Sequence, residues 1–371
     1  MAGLYVHVPF CHAKCIYCDF YSVATTRRAR EYVEAVAQEW RYYRREAAWP
    51  EVFSTLYLGG GTPSILSDEL LQQLVAELPA ATGERTIEAN PEDITPERVA
   101  LIRALGFNRV SLGVQSFCNE DLRFLGRRHT AHQARRAVQL LQQGGLYNIS
   151  IDLIFALPDV PFERWQANVQ AAVALHVPHL SAYGLTYEPR TLLEKKLRQG
   201  EVSKVSDDLY IRQYRYLIDA LQAAGYEQYE LSNFALPGAA ARHNASYWRH
   251  VPYLGLGPGA HSFDGRRRRA NVRSLPAYIS ALKEGRLPVE FTETLTQTDL
   301  YNEAIMLGLR TRQGVDLGYI QQRFGLERYR ALLNQIVPLL HSGKLSLQGN
   351  QLTLTQEGLP VADAVIARLF S

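Results

Sequence analysis

Short runs of β-branched and apolar residues alternate with amphipathic stretches along the first half of the chain. The runs cover residues 4–8, 55–58, 86–89, 109–114, 149–155 and 179–186. Between them, apolar positions recur at helical spacing over 28–46, 68–77, 96–105, 131–143 and 162–175. Strands alternating with helices predict βαβ units and a parallel sheet. Six units suit an α/β fold with a partial (β/α)6 barrel rather than a closed eightfold one. Right-handed crossovers would put all strand C-termini on one face, where βα loops build sites. A further long helix is predicted from Asp207 to about Gly225.

The pattern then changes. Residues 226–275 are rich in Tyr, Gly, Asn and His, and include HNASYW at 243–248 and GLGPGAHSF at 255–263. Asp264-Gly265 lies between two strand-like runs, which predicts a tight hairpin. From about Thr296 a helical module begins. It closes with two short alternating strands around Gly349-Asn350 and a final helix from about Leu359. Helices followed by a small hairpin predict a winged-helix-like module. The division expected is a barrel over 1–235, an extension over 236–290 packing on the barrel, and a C-terminal module over 291–371.

The 371 residues give room for one large domain and a small one. Hydrophobic residues make up 47% and charged residues 21%, as in a soluble globular protein. A net charge of +3 argues against a polyanion binder, and the C-terminal module has no concentrated basic patch, so no nucleic-acid partner is expected. MAGLYVHVPF lacks a basic region followed by an apolar core, and no apolar run reaches the ~18 residues of a membrane span. The expected location is the cytoplasm. The sequon Asn244-Ala245-Ser246 is set aside on that ground.

In a reducing compartment, clustered thiols point to metal or redox chemistry. Cys11, Cys15 and Cys18 are spaced C-x3-C-x2-C just after the first predicted strand; Cys118 stands apart and reads as a small buried residue. Thiolates hold iron–sulfur clusters, and three of them leave one iron of a [4Fe-4S] cube open. The amino and carboxylate groups of S-adenosylmethionine (SAM) can chelate that iron. A zinc site would instead need His7 or His12 as a fourth ligand. Other chemically odd residues also fall towards strand C-termini: Gly59-Gly60-Gly61-Thr62-Pro63, Glu88, Gln115, Asp152 and Thr186.

The cysteine motif, with Tyr17 before its third cysteine, lies within YVHVPFCHAKCIYCDF. Together with GGGTP, IEANPE, GVQSF, IDLIFALP, HNASYW and GLGPGAHS, it resembles the coproporphyrinogen-oxidase-like branch of the radical-SAM superfamily. The resemblance covers essentially the whole chain. It implies a [4Fe-4S] cluster on Cys11, Cys15 and Cys18. It also implies a SAM pocket from Tyr5, Tyr17, Gly60, Gly61, Thr62, Glu88, Gln115, Arg127, Asp152 and Thr186.

That branch holds oxygen-independent coproporphyrinogen III oxidases and heme chaperones. The oxidases carry a further cysteine two residues after the third ligand, where this chain has Phe20. They also have an extension before the first strand, which here begins at about residue 4. The HNxxYW motif associated with the chaperones matches His243 to Trp248. The resemblance therefore implies heme binding through His243, Tyr247 and Trp248, with His250 and His261 as rival ligands, and no oxidase activity. Imidazole is an axial iron ligand, and aromatic rings pack on porphyrin faces. Delivery of heme to acceptors such as respiratory enzymes follows, which would bring in a transient membrane-associated partner; a homodimer is left open. Arg266–Arg269 could face heme propionates through charge-assisted hydrogen bonds, but a solvated hairpin tip is the favoured reading. One departure stands out. Relatives commonly read Asp-Leu-Ile-Tyr-Gly-Leu-Pro where this chain has Asp152-Leu153-Ile154-Phe155-Ala156-Leu157-Pro158, and the lost glycine and hydroxyl are expected to reshape that wall.

Overall fold

The computed structural model of the chain describes residues 2–45 and 49–371. Six parallel strands alternate with helices as the pattern predicts: β1 (Gly3–Val8), α1 (Ala29–Arg45), β2 (Thr55–Gly60), α2 (Asp68–Glu77), β3 (Arg85–Ala89), α3 (Pro96–Ala104), β4 (Arg109–Gln115), α4 (Asn119–Leu125), α5 (Ala131–Gln143), β5 (Ile149–Phe155), α6 (Phe162–Val173) and β6 (His179–Gly184). The predicted helix end at Glu46 lies outside the described residues. The last strand stops at Gly184, so Thr186 sits in the loop beyond it.

Period-two alternation explains the barrel. In β1, Leu4, Val6 and Val8 are fully buried against the helix layer, while Tyr5 and His7 point inwards. In β5, Ile149, Ile151 and Leu153 face the helices, and Ser150, Asp152 and Ile154 face the lumen. On α1, Tyr32, Val33, Val36, Trp40 and Tyr43 form the matching apolar stripe. The main core therefore lies between strands and helices, and the lumen is lined by polar and aromatic side chains together.

α7 (Leu192–Arg198) and α8 (Asp207–Ala223) follow, the latter capped by Ser206. β7 (Glu227–Glu230) and β8 (Asn233–Ala235) then add antiparallel strands beside β6. The extension continues the barrel sheet. After α9 (Arg242–Trp248), β9 (Tyr253–Leu256) pairs parallel to β1, with Gly3 opposite Tyr253. β10 (His261–Phe263) and β11 (Arg267–Asn271) form the expected hairpin around Asp264-Gly265. α10 (Leu275–Lys283) leads to β12 (Val289–Thr294), the outer edge of a continuous twelve-stranded sheet. The buried Glu39 of α1 locks this extension down. It accepts hydrogen bonds from Gly257 N (2.9 Å), Asn271 Nδ2 (2.7 Å) and Tyr278 OH (2.5 Å).

The C-terminal module runs α11 (Gln297–Leu309), β13 (Val315–Asp316), α12 (Leu317–Phe324), α13 (Leu326–His341), β14 (Leu345–Gln348), β15 (Gln351–Leu354) and α14 (Ala362–Ala367). Three helices and a three-stranded sheet in this order are winged-helix-like. The module has its own core, including Tyr301, Ile305, Ile320, Leu332 and Ile336. It joins the barrel through Leu231 N to Arg310 O (3.0 Å) and through Glu303, which meets both His250 and Arg268. Among the described residues no helix is long and apolar enough to cross a membrane.

Candidate functional site

A cavity of about 1110 Å³ fills the barrel lumen and opens between the cysteine loop and the C-terminal module. Cys11, Cys15 and Cys18 line its upper end, on the loop after β1. Cys11 N bonds Val23 O (3.1 Å) and Cys18 N bonds Cys15 O (3.2 Å), which shapes the loop. Thr62 OH donates to Cys11 Sγ (3.6 Å), and Arg127 Nη1 donates to Cys15 Sγ (3.5 Å). Burial pushes the Cys18 thiol up to about 11. Holding it as a thiolate therefore requires positive charge at the sulfur, such as iron. Three soft donors with hydrogen-bond donors aimed at their sulfurs fit an iron–sulfur cluster.

A zinc site is not formed. His7 Nδ1 meets Tyr5 OH (3.0 Å) and Nε2 meets Tyr21 O (2.8 Å), while His12 pairs with Asp93 (3.2 Å). Among the described residues no group of three His, Cys, Asp or Glu is arranged to hold a single ion. Cys118 is half-buried at the start of α4 and takes no part.

The ten residues assigned to SAM all line the same cavity. Gly60 has φ 105°, and a Cβ there would collide with the His7 ring. At Gly61 a Cβ would fall 2.6 Å from Phe10 O. Glu88 accepts from Gly60 N (3.0 Å) and Tyr57 OH (2.7 Å). Its partial exposure is to the cavity alone; burial, with Asp152 nearby, raises its carboxyl to about 7. Asp152 accepts from Ser111 OH (3.3 Å), and burial raises it to about 6. Arg127 reaches over the top of the lumen from the turn after α4, with Nη2 donating to Asn90 Oδ1 (2.5 Å) and Gly113 O (2.6 Å). Gln115 ends β4 at φ 66°, which turns its side chain into the cavity. Tyr5 and Tyr17 are half-buried on the wall, and Thr186 lies on the exposed rim.

The residues assigned to heme lie in different surroundings. HNASYW is not a loop but the helix α9, and His243 is fully buried beneath it. Its Nδ1 meets Thr55 Oγ1 (2.8 Å), its Nε2 meets Tyr247 OH (2.8 Å), and its ring stacks on Tyr57. Both ring nitrogens are engaged, and neither His243 nor Trp248 lines the cavity. Trp248 turns towards the C-terminal module, where the Arg310 guanidinium lies 5.7 Å over its ring. Tyr247 does face the cavity. Of the rival histidines, His250 is tied to Glu303 (2.5 Å). His261 lines the cavity and has no hydrogen-bond partner among the described residues. The residue is exposed on the cavity wall with its ring edge-on to Phe291, and partial burial, with Arg273 and Arg268 nearby, pulls its pKa down. Tyr253, Phe263, Arg268 and Met306 share this part of the cavity.

The departure at 155–156 does not reshape the wall. Phe155 faces the helices, packing on Trp165, Tyr210 and Tyr214. Ala156 keeps a left-handed conformation at φ 62°, at a cost of roughly 1 kcal/mol for a non-glycine residue. Tyr57, Asn90, Ser111, Ser181 and Arg109 also line the lumen, and the sequence reading passed over them. Their signal is a polar residue at every second position of strands whose other face is apolar.

Comparison with known proteins places this geometry. The Radical SAM superfamily model matches residues 5–172, and the HemN C-terminal domain model matches 295–361. The chain is 33% identical to the heme chaperone HemW of Lactococcus lactis over 98% of this chain and 96% of that one. It is 37% identical to the heme chaperone HemW of Mycobacterium tuberculosis, over 99% and 94%. The chain belongs to the HemW family of radical SAM proteins. The crystallised coproporphyrinogen III oxidase HemN of Escherichia coli superposes with a TM-score of 0.87 at 23% identity, covering 100% of this chain and 90% of that one. At that identity the match speaks for the shared fold. HemW membership makes a [4Fe-4S] cluster and SAM the groups expected at the cysteine loop.

Proposed function

We propose that this chain is a heme chaperone that binds heme in the lumen cavity, beside a SAM-coordinated [4Fe-4S] cluster, and passes it to acceptor hemoproteins such as respiratory enzymes. Family membership supports the class. The observation that carries the site is a single cavity running from three cysteines to His261, whose imidazole nitrogens have no hydrogen-bond partner among the described residues. Cys11, Cys15 and Cys18 would hold the cluster, which when bound supplies an open iron for the amino and carboxylate groups of SAM.

The chain's own residues do the rest. Gly60 and Gly61 leave room for a ligand against the main chain, and Thr62 and Arg127 steady the cysteine sulfurs. Glu88 and Asp152, with raised pKa values, each offer a proton or a hydrogen bond near neutral pH. His261 offers a free imidazole to iron, with Phe263, Tyr247 and Tyr253 as apolar faces for the porphyrin. Acceptors in the respiratory chain would bring the protein transiently to a membrane surface.

Anaerobic reconstitution followed by heme titration tests this. Saturable binding with a Soret shift is expected, and His261→Ala should weaken it and change the spectrum while the cluster absorbance stays. A wild-type spectrum and affinity in His261→Ala would refute the ligand. Absence of saturable heme binding, together with SAM-dependent conversion of coproporphyrinogen III, would replace the chaperone with the oxidase.

A further inference from the structure

The end of the lumen opposite the cysteines holds a guanidinium to which no carboxylate is bonded among the described residues. Arg109 opens β4 and is 2% exposed, yet it lines the cavity. Its Nη1 donates to Asn148 Oδ1 (2.7 Å) and to Ala239 O (3.4 Å). Nε and Nη2 have no acceptor among the described residues, and no carboxylate there forms an ion pair with it. The nearby acids take other donors, although the field of Asp152 reaches Arg109. Asp152 takes the Ser111 hydroxyl, Glu84 takes Arg242 N and His243 N, and Glu230 takes Ser232 N and Asn233.

Around Arg109 stand further groups suited to an anion. Ser150 and Ser181 face the lumen beside His179, whose ring is fixed between Ser150 Oγ (2.7 Å) and Tyr229 OH (2.8 Å). A guanidinium cannot shed its charge, and burying it unpaired is costly. Its planar fork matches a carboxylate.

We propose that Arg109 makes this floor a receptor for a carboxylate of the ligand in the lumen. On the heme reading above, on which the ligand's identity rests, that carboxylate is a propionate. The SAM on the cluster cannot supply it with the same group. β4 runs from Arg109 to Gln115, which is about 20 Å of strand between floor and mouth. A second SAM molecule is the other source of the same chemistry.

The test titrates heme and heme dimethyl ester, whose propionates are capped, into reconstituted wild type, Arg109→Gln and Arg109→Lys. A parallel arm counts radiolabelled SAM per chain in each. Wild type should prefer heme by on the order of ten- to a hundred-fold, the value of one charged bidentate contact. Arg109→Gln should bind the two alike, and Arg109→Lys, a point charge, should keep part of the preference. Loss of one SAM equivalent in Arg109→Gln, with heme and diester indistinguishable in wild type, would support the receptor and assign it to SAM. An unchanged preference and unchanged SAM count in Arg109→Gln would overturn the proposal and leave Arg109 as a structural plug. If Arg109→Gln does not fold by circular dichroism, Arg109→Lys decides: wild-type values in both arms overturn it. If wild type binds no heme, the heme reading fails by itself, and the SAM count alone judges the receptor.

Discussion

His243→Ala separates a structural histidine from an iron ligand. The imidazole is fully buried, bridges the Thr55 and Tyr247 hydroxyls and stacks on Tyr57. Truncation strands two hydroxyls and opens a void. A stranded buried partner costs ~1–3 kcal/mol, at the low end for Tyr247, which can turn to the cavity. With the void included, the expected loss is about 4 kcal/mol at pH 7.5. Burial holds the folded pKa at about 3, against an ordinary 6.5. For a histidine depressed in this way, the stabilisation is complete above pH 6.5 and is lost as pH falls towards 3. Between pH 7.5 and 5 wild type should lose about 2 kcal/mol that the variant does not lose. Urea unfolding of the cluster-free protein, followed by tryptophan fluorescence, should show the gap between the two shrinking from about 4 to about 2 kcal/mol. The heme Soret band of the folded variant should match wild type. Wild-type stability combined with a lost Soret shift would refute this account and return His243 to the iron.

Two further outcomes follow from the same geometry. Cys15→Ser should fail to keep the ~4 irons and ~4 sulfides per chain expected of reconstituted wild type; a full complement, with SAM still perturbing the reduced EPR spectrum, would sink the cluster assignment. Burial raises the Glu39 carboxyl to about 7, so its contribution is present below its ordinary 4.5 and lost as pH rises through 7. Glu39→Gln should therefore remove about 3 kcal/mol of destabilisation between pH 4.5 and 8; a wild-type pH profile in that variant would contradict the burial argument.

The barrel was legible because its signals are local. Leu4, Val6 and Val8 alternating with Tyr5 and His7 report two faces, and the apolar stripe of α1 needs only its own residues. The residues around the cysteine loop were readable for the same reason, since most lie at or just past a strand end. What failed depends on distant partners. Nothing near Tyr253 says that it pairs with Gly3, so the continuation of the sheet into the extension was not legible. The helix α9 lacks a side-chain N-cap and is only seven residues long, so it left little trace. The burial of His243 is set by Thr55, Tyr57 and Glu84, which lie far away in the chain. His261 gives the converse case: its freedom comes from what does not reach it.

The buttressing of the cysteine loop also sets an order of assembly. The loop lies at the very start of the chain, but what holds it comes from far downstream. Arg273 donates to Asp19 O (2.8 Å), Leu275 N donates to Tyr21 OH (2.5 Å), and β9 closes over β1. A ribosome would release the three thiols early and their supports only some 250 residues later. Contacts of such long sequence separation form late, after the local βα units have collapsed. Iron that arrives before residues 253–275 are made would meet a loop without these supports. A fragment ending at α8 would keep all three cysteines yet lack the strand and loop that hold them in place.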